Sequence, residues 1–120
     1  MKPSQNQLIY KIETRETWEQ AIKAGIYRGA PIDLNDGFIH FSTASQARQT
    51  AAKHFGDRSG LVIAALNADD LGEKLVWEIS RNDELFPHLY DVLDMQLIKQ
   101  TYDLPLGPDG QHVFHSDIAQ

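Results

Sequence analysis

The sequence GFIHFST places an imidazole and two hydroxyl groups where a predicted strand runs into a predicted helix. Histidine changes charge near neutral pH, so His40 is suited to proton transfer or to hydrogen bonding a ligand. Side chains alternate along a strand, which directs His40 away from Ile39 and Phe41. Other interpretations stay open: His40 as a half-buried histidine bonded to a backbone carbonyl, and Ser42 and Thr43 as helix caps.

Two later segments carry a carboxylate, a second imidazole and aromatic rings. Trp77 and Glu78 lie in a predicted strand, where a carboxylate is either solvated or held in a pocket by partners, because burying it unpaired is costly. The sequence LFPHLY contains His88 and Tyr90 in a predicted loop that is unusually apolar. Such a loop either fills a gap in the core or closes over a binding site.

The remaining histidines indicate no metal site. His112 and His115 are three residues apart in a segment predicted to be extended, where such residues point to opposite faces. His54, near the end of a predicted helix, is explained by the helix dipole. A metal-dependent hydrolase remains an alternative, drawing on His40, Glu78 and His88 as ligands. The sequence contains no glycine-rich phosphate loop, nucleophile elbow or H-E-x-x-H motif.

Hydrophobic periodicity predicts the elements that would position these residues. The predicted strands are residues 7–12, 38–42, 61–66, 74–79 and 95–102, with 111–115 as a further edge strand. The apolar run 61–66 is typical of a central strand buried on both faces, and we expect 74–79 to pair near it. Helices are predicted from Thr14 or Thr17 to Gly25 and from Thr43 to Gly56. Residues 26–37 and 81–93 are predicted to be loops, and residues 67–72 a turn or a short helical turn.

Composition sets the fold class and excludes some partners. The chain has 120 residues, 42% hydrophobic and 23% charged, which fits one domain spanning residues 1–120 with a flexible segment at residues 1–7. We expect an α+β fold with two helices on a curved, mainly antiparallel sheet of about six strands. The net charge of −6 and the absence of a basic patch disfavour nucleic acid.

Other features bear on location. The longest apolar run is much shorter than the roughly 20 residues that cross a bilayer, so we expect no membrane partner. The N-terminal residues lack the apolar centre of a secretory signal, and the chain has no cysteine. Both features favour a cytoplasmic location. The sequence does not indicate whether the protein is a monomer or an oligomer.

The motifs occur together in a known family. They are IYKI, APID with DGFIHFST, WE, FPHLY and LPLGPDG, in this order along nearly the whole chain. With them the chain resembles the bacterial domain-of-unknown-function family 952, which is similar in turn to the ADP-ribosyltransferase-like fold. That fold grips NAD in a cleft between two small sheets. The resemblance implies NAD, as substrate, or a related nucleotide as the small-molecule ligand.

The resemblance also implies roles for single residues. His40, with Ser42 and Thr43, looks like the strand element that bonds the nicotinamide ribose. Tyr90 would stack on a ring, with Tyr10 or Trp77 as less clear choices. Glu78 or Glu84 would be the late acid that offsets positive charge at the anomeric carbon, and His88 would face the cleft.

Two questions about the ligand stay open at this point. An acidic protein would need Lys11, Arg28 or Arg81 to hold an anionic dinucleotide. The rival to an enzyme, active or degenerate, is a non-catalytic module that binds a small molecule in the same pocket.

Overall fold

The computed structural model describes residues 7–118. This part of the chain contains three α-helices, eight strands and three 3-10 helices. The helices are α1 (Arg15–Ala24), α2 (Pro31–Asp36) and α3 (Ala44–Phe55), with 3-10 helices at Ala68–Lys74, Arg81–Asp83 and Met95–Leu97. The strands are β1 (Leu8–Thr14), β2 (Ile26–Tyr27), β3 (Ile39–His40), β4 (Leu61–Asn67), β5 (Leu75–Ile79), β6 (Leu85–Leu89), β7 (Leu93–Asp94) and β8 (Gln100–Leu104). The expected flexibility of the N-terminal segment concerns residues that, apart from Gln7, lie outside the described range.

Strand β4 is the centre of the fold, as its apolar sequence predicts. It lies between β1 and β8 in an antiparallel sheet, and six of its seven residues are buried. Its side chains alternate between two hydrophobic clusters. Val62, Ala64 and Leu66 pack on one face with Trp18, and Ile63 packs on the other face with α3 residues. The sheet thus has a core on each side.

A second antiparallel sheet, in the order β3-β6-β5, carries the candidate site. Strand β5 pairs with β6 and not with β4, so the expected neighbour of residues 74–79 was wrong. Strand β6 lies in the segment predicted to be a loop. The prediction missed it because Pro87 lacks the N–H of a central strand residue. The Pro87 carbonyl oxygen still accepts a hydrogen bond from the Phe41 N–H at 3.0 Å, so the strand forms with one donor fewer.

Helices α1 and α3 agree with their predicted ends. The Thr14 hydroxyl accepts a hydrogen bond from the Thr17 N–H, and Gly25 ends α1 with a φ of 83°. At α3, the Thr43 N–H donates to the side-chain oxygen of Gln46 at 3.0 Å, as expected for a capping box.

Other boundaries differ from the prediction. The expected loop at 26–37 contains β2 and α2, and Pro31 starts α2 with its preset φ. Residues 95–97 form a 3-10 helix, and the last strand begins only at Gln100. Residues 111–115 contribute a single bridge, between His112 and Leu106. The α+β class is correct, but residues 7–118 contain more strands and one more α-helix than expected, and the strands are divided among three small sheets.

Two isoleucine variants test how much the core around β4 contributes to stability. Ile63 is fully buried, so replacing it with Ala should lower the free energy of unfolding by about 2 to 5 kcal/mol, the usual range for a buried aliphatic truncation. Ile22 on α1 is 57% exposed, and Ile22→Ala should change it by less than about 0.5 kcal/mol. Urea unfolding of both variants makes the comparison. Equal losses would contradict the central role of β4.

Candidate functional site

A pocket of about 280 Å³ opens between β1, α2, β3, α3 and the segment that leads into β6. Its wall is rich in nitrogen-bearing side chains, namely Lys11, Lys53, Arg81, His40, His54 and His88. Two carboxylates, Asp33 and Asp36, and the hydroxyl groups of Ser42 and Thr50 complete the polar part of the wall. The pocket is therefore far more basic than the acidic chain around it.

Asp33 is the buried anchor of this wall, with a side chain only 1% exposed. Its Oδ2 accepts hydrogen bonds from Lys11 Nζ at 2.9 Å and from the Ala30 N–H at 2.7 Å. Its Oδ1 accepts one from the His40 N–H at 3.1 Å and lies 2.6 Å from His40 Nδ1. Burial would raise the pKa of Asp33, but its bonds with His40 and Lys11 outweigh burial and hold that pKa well below the usual range. Asp33 is thus a permanent carboxylate at neutral pH.

The His40 ring is fixed at both nitrogens. Nδ1 faces Asp33, and Nε2 lies 2.9 Å from the Asp36 carboxylate. A neutral imidazole has one N–H, so only the imidazolium form can donate to both carboxylates at once. The side chain of His40 is 31% exposed, and that of Asp36 is 35% exposed. His40 is therefore held between a buried and a half-exposed carboxylate, and a ligand reaches its Nε2 only by competing with Asp36.

His88 lies directly opposite His40, because the two residues are paired across β3 and β6. Their rings are 5.4 Å apart and nearly perpendicular, and the Phe38 ring stacks on His88 at 4.1 Å. His88 Nδ1 is 2.8 Å from the Glu78 carboxylate. Burial lowers the pKa of His88 and outweighs the opposing effect of Glu78. A neutral His88 that donates from Nδ1 to Glu78 leaves its Nε2 as a hydrogen-bond acceptor.

Glu78 and Tyr90 lie behind His88 and outside the pocket wall. The Tyr90 hydroxyl donates to the same Glu78 oxygen at 2.7 Å, and bonds from His88 and Tyr90 lower the pKa of Glu78. Trp77 packs, partly buried, against the core that contains Trp18. Of the residues predicted for the site, His40, Ser42 and His88 line the pocket. Thr43, Trp77, Glu78 and Tyr90 do not, and Thr43 starts α3.

The opposite wall is built from α3 and the residues before β6. The Ser42 and Thr50 hydroxyl oxygens are 2.9 Å apart, and Arg81 Nη2 donates to the Thr50 hydroxyl oxygen at 2.8 Å. Sequence reasoning missed Thr50 and Lys53, although their spacing with His54 places all three on one helical face. It also missed Asp33, because Asp33 lies in α2, which was predicted to be a loop.

Two of the three cations expected to hold an anionic ligand lie in the pocket wall. Lys11 and Arg81 line the pocket, whereas Arg28 borders a separate shallow depression beside α1.

Within residues 7–118, no group of three or more His, Cys, Asp or Glu side chains is arranged to hold a metal ion. His112 Nε2 instead lies 2.7 Å from the Arg58 carbonyl oxygen. In the same part of the chain, no helix is long and apolar enough to cross a membrane.

One protein family matches most of the chain. The family model described as "Protein of unknown function (DUF952)" matches residues 12–101. The chain belongs to this family. The matched region of this family member contains most of the pocket wall, including Asp33, His40, Arg81 and His88, while Tyr10 and Lys11 precede it. No curated protein matches the chain.

Solved structures of one relative share the fold. The X-ray crystal structure of protein CC0527 from Caulobacter crescentus is 43% identical, with a TM-score of 0.90 over 94% of this chain and 99% of that chain. The solution NMR structure of CC0527 is 46% identical, with a TM-score of 0.79 over 87% of this chain and 90% of that chain. These names and the family description carry no activity, so the similarity to the ADP-ribosyltransferase-like fold stays a prediction.

The buried charges around Asp33 predict a pH-dependent stability. Asp33→Asn should lower the free energy of unfolding at pH 7 by about 3 kcal/mol, because it leaves the buried Lys11 ammonium without a counter-charge. A carboxyl group with a lowered folded pKa stabilises the fold above its unfolded pKa, and this stabilisation is lost as the pH falls through the folded value. The difference between the two proteins should therefore shrink below about pH 4, the ordinary pKa of aspartate. Urea unfolding at pH 7 and pH 3 measures it.

Asp36→Asn is the matched control, since Asp36 contacts the same imidazole from the half-exposed side of the pocket. An exposed pair contributes little, so this variant should lose less than about 1 kcal/mol at either pH. A loss for Asp33→Asn that is the same at pH 3 and pH 7 would contradict the assignment of Asp33 as the ionised anchor.

Proposed function

We propose that this protein binds NAD or a related nucleotide in the pocket, with the ligand's ribose beside His40. The observation that carries the proposal is the pair formed by Asp33 and His40, in which a buried carboxylate orients an imidazole that is partly exposed in the pocket wall. The other nitrogen, Nε2, lies 2.9 Å from the half-exposed Asp36 carboxylate, and a ligand hydroxyl that takes the place of Asp36 would accept from this nitrogen. Asp36, next to the same imidazole, supplies an acceptor for a second hydroxyl group.

The neighbouring residues support a sugar or nucleoside as the bound group. His88 offers an acceptor nitrogen opposite His40, and Tyr10, Phe41 and Phe86 contribute aromatic side chains to the pocket wall. Vicinal hydroxyl groups need both donors and acceptors at close spacing, and two imidazoles with a carboxylate provide them. The volume of about 280 Å³ is just below the usual range for ligand pockets. One half of a dinucleotide would fill it, and the other half would extend outside.

The position of Glu78 favours binding over transfer chemistry. An ADP-ribosyltransferase-like enzyme would use this residue to offset charge at the anomeric carbon. Glu78 is instead bonded to His88 and Tyr90 and does not line the pocket. Glu84 is no better placed, since its carboxylate accepts from the Gln46 amide nitrogen at 3.3 Å. The geometry therefore supports a binding module, or a degenerate enzyme that keeps the cleft, before an active transferase. A metal-dependent hydrolase has the least support.

The ligand class also fits the expected location of the protein. Absence of cysteine favours a cytoplasmic location, where nucleotides are abundant.

Ligand-induced stabilisation tests the proposal. NAD or ADP-ribose at about 100 times its dissociation constant should raise the free energy of unfolding by about 2.7 kcal/mol, because only the folded protein binds. His40→Ala should remove most of this gain. His115→Ala changes an exposed histidine outside the pocket and should leave it intact. Thermal unfolding with calorimetric titration provides both measurements. If neither ligand stabilises the unmodified protein, the proposal is wrong.

A separate measurement distinguishes the enzyme from the binding module. Glu78 contacts His88 but does not line the pocket, and the amide oxygen of Gln can still accept from His88. Glu78→Gln should therefore bind NAD nearly as tightly as the unmodified protein, and the unmodified protein should release no nicotinamide from NAD. Chromatography of NAD incubated with the protein detects that release. If the unmodified protein releases nicotinamide steadily and the Glu78→Gln variant does not, the protein is an active transferase and not a binding module.

A further inference from the structure

The wall of the pocket across from His88 concentrates positive charge on α3 and Arg81. Thr50, Lys53 and His54 share one face of α3, and all three line the pocket together with Arg81. Lys53 and His54 are exposed, whereas Arg81 is half-buried. This wall is distinct from the His40 and His88 pair that carries the proposed ribose contact.

The Arg81 guanidinium is fixed in place, but few of its N–H donors are bonded to the protein. Nη2 donates to the Thr50 hydroxyl at 2.8 Å, and the group lies 4.9 Å above the Phe86 ring. Nε is buried and has no hydrogen-bond partner within residues 7–118. Guanidinium carries five N–H donors, so most of its donors are without an acceptor in the described structure. A cation held this rigidly is ready to bind an anion without further ordering.

The counter-charges of the pocket lie elsewhere. Lys11 is neutralised by Asp33, and the half-exposed Asp36 is bonded to His40. Within residues 7–118 neither Arg81 nor Lys53 has a carboxylate within ion-pair distance. Two cations with no carboxylate partner in a chain of net charge −6 leave a local excess of positive charge.

The pKa of His54 reflects the same local excess of positive charge. Burial lowers the pKa of His54, and the positive charges of Arg81 and Lys53 lower it further. The groups that face His54 in the pocket are therefore mainly cationic, and a bound anion would relieve their repulsion.

We propose that Arg81, oriented by Thr50, and Lys53 form a subsite for the phosphate group of a phosphorylated sugar or nucleotide. A phosphate accepts several charge-assisted hydrogen bonds, which suits a guanidinium with unused N–H groups and a flexible ammonium. The Thr50 hydroxyl positions Arg81, since it accepts from the guanidinium and donates to the Gln46 carbonyl oxygen at 3.1 Å. The subsite rests on the proposed function only for the rest of the ligand. The subsite predicts that AMP-like molecules bind more tightly than their nucleosides, and it supplies the positive charge that a nucleotide requires in this acidic chain.

The test compares AMP with adenosine and uses inorganic phosphate as the smallest probe. AMP should bind at least about tenfold more tightly than adenosine, since a charge-assisted hydrogen bond contributes about that factor or more. Arg81→Gln should weaken AMP binding by about tenfold while leaving adenosine binding unchanged. Phosphate alone should shift the amide NMR signals of Thr50, Lys53 and His54. Calorimetric titration and amide spectra measure these effects.

Two variants protect the test against simple unfolding or a general charge effect. Lys53→Gln removes an exposed cation, so it should fold normally and still weaken AMP binding several-fold. Arg28→Gln removes the same charge from the separate depression beside α1 and should leave AMP binding unchanged. Equal affinity for AMP in the unmodified protein, Arg81→Gln and Lys53→Gln would overturn the subsite, as would phosphate signals confined to other residues.

Failure of the subsite and failure of the proposed function have different results. Phosphate binding at α3 that depends on Arg81, with no binding of NAD, ADP-ribose or AMP, would support the subsite and overturn the proposed ligand. NAD binding that depends on His40 but not on Arg81 or Lys53 would support the proposed function and overturn the subsite.

Discussion

The buried carboxylate of Asp33 holds the candidate site together, because it joins groups from three separate elements. Lys11 comes from β1, His40 from β3, and Asp33 itself from the short helix α2. A buried ion pair gives little net stability compared with apolar packing, but removing one partner is expensive because the other charge is left in the interior. The arrangement therefore fixes geometry more than it adds stability, and it requires α2 to fold against β1 and β3.

This constraint divides the pocket into two unlike halves. The Asp33 side is electrically balanced, since its carboxylate meets the ammonium of Lys11 and the imidazole of His40. The α3 side has cations without matching carboxylates in the described part of the chain, and Thr50 links its Arg81 to Ser42 on the strand side. A ligand that is neutral and hydroxyl-rich at one end and anionic at the other matches both halves. A phosphorylated ribose has this form.

Sequence patterns predicted the elements whose signal is local, and they missed those that depend on distant partners. The apolar run of β4 and the caps of α1 and α3 lie within a few residues, so they could be read directly. The direction of His40 followed from strand alternation, and Ile39 and Phe41 are indeed in the core. Strand β6 was not predicted because it contains Pro87, which has no backbone N–H to donate. The strand still forms, and the Pro87 carbonyl oxygen accepts a hydrogen bond from the Phe41 N–H. Asp33 was noted only as part of the family motif APID and not as a site residue, because a buried aspartate is recognised only when its partners are known.

The same limit applies to Glu78, the candidate acid, because the sequence does not show which side chains bond it. Alternation puts Glu78 and its cross-strand partner Phe86 on one face of the second sheet, and Phe86 does line the pocket. Pairing cannot reveal that Tyr90 and His88 lie close enough to bond the same oxygen of Glu78 and turn it away from the pocket. Movement of Glu78 into the pocket would break both bonds and leave the buried His88 Nδ1 without its acceptor. The carboxylate therefore orients His88 from behind, in the same way that Asp33 orients His40, and the two imidazoles are the groups presented to the ligand.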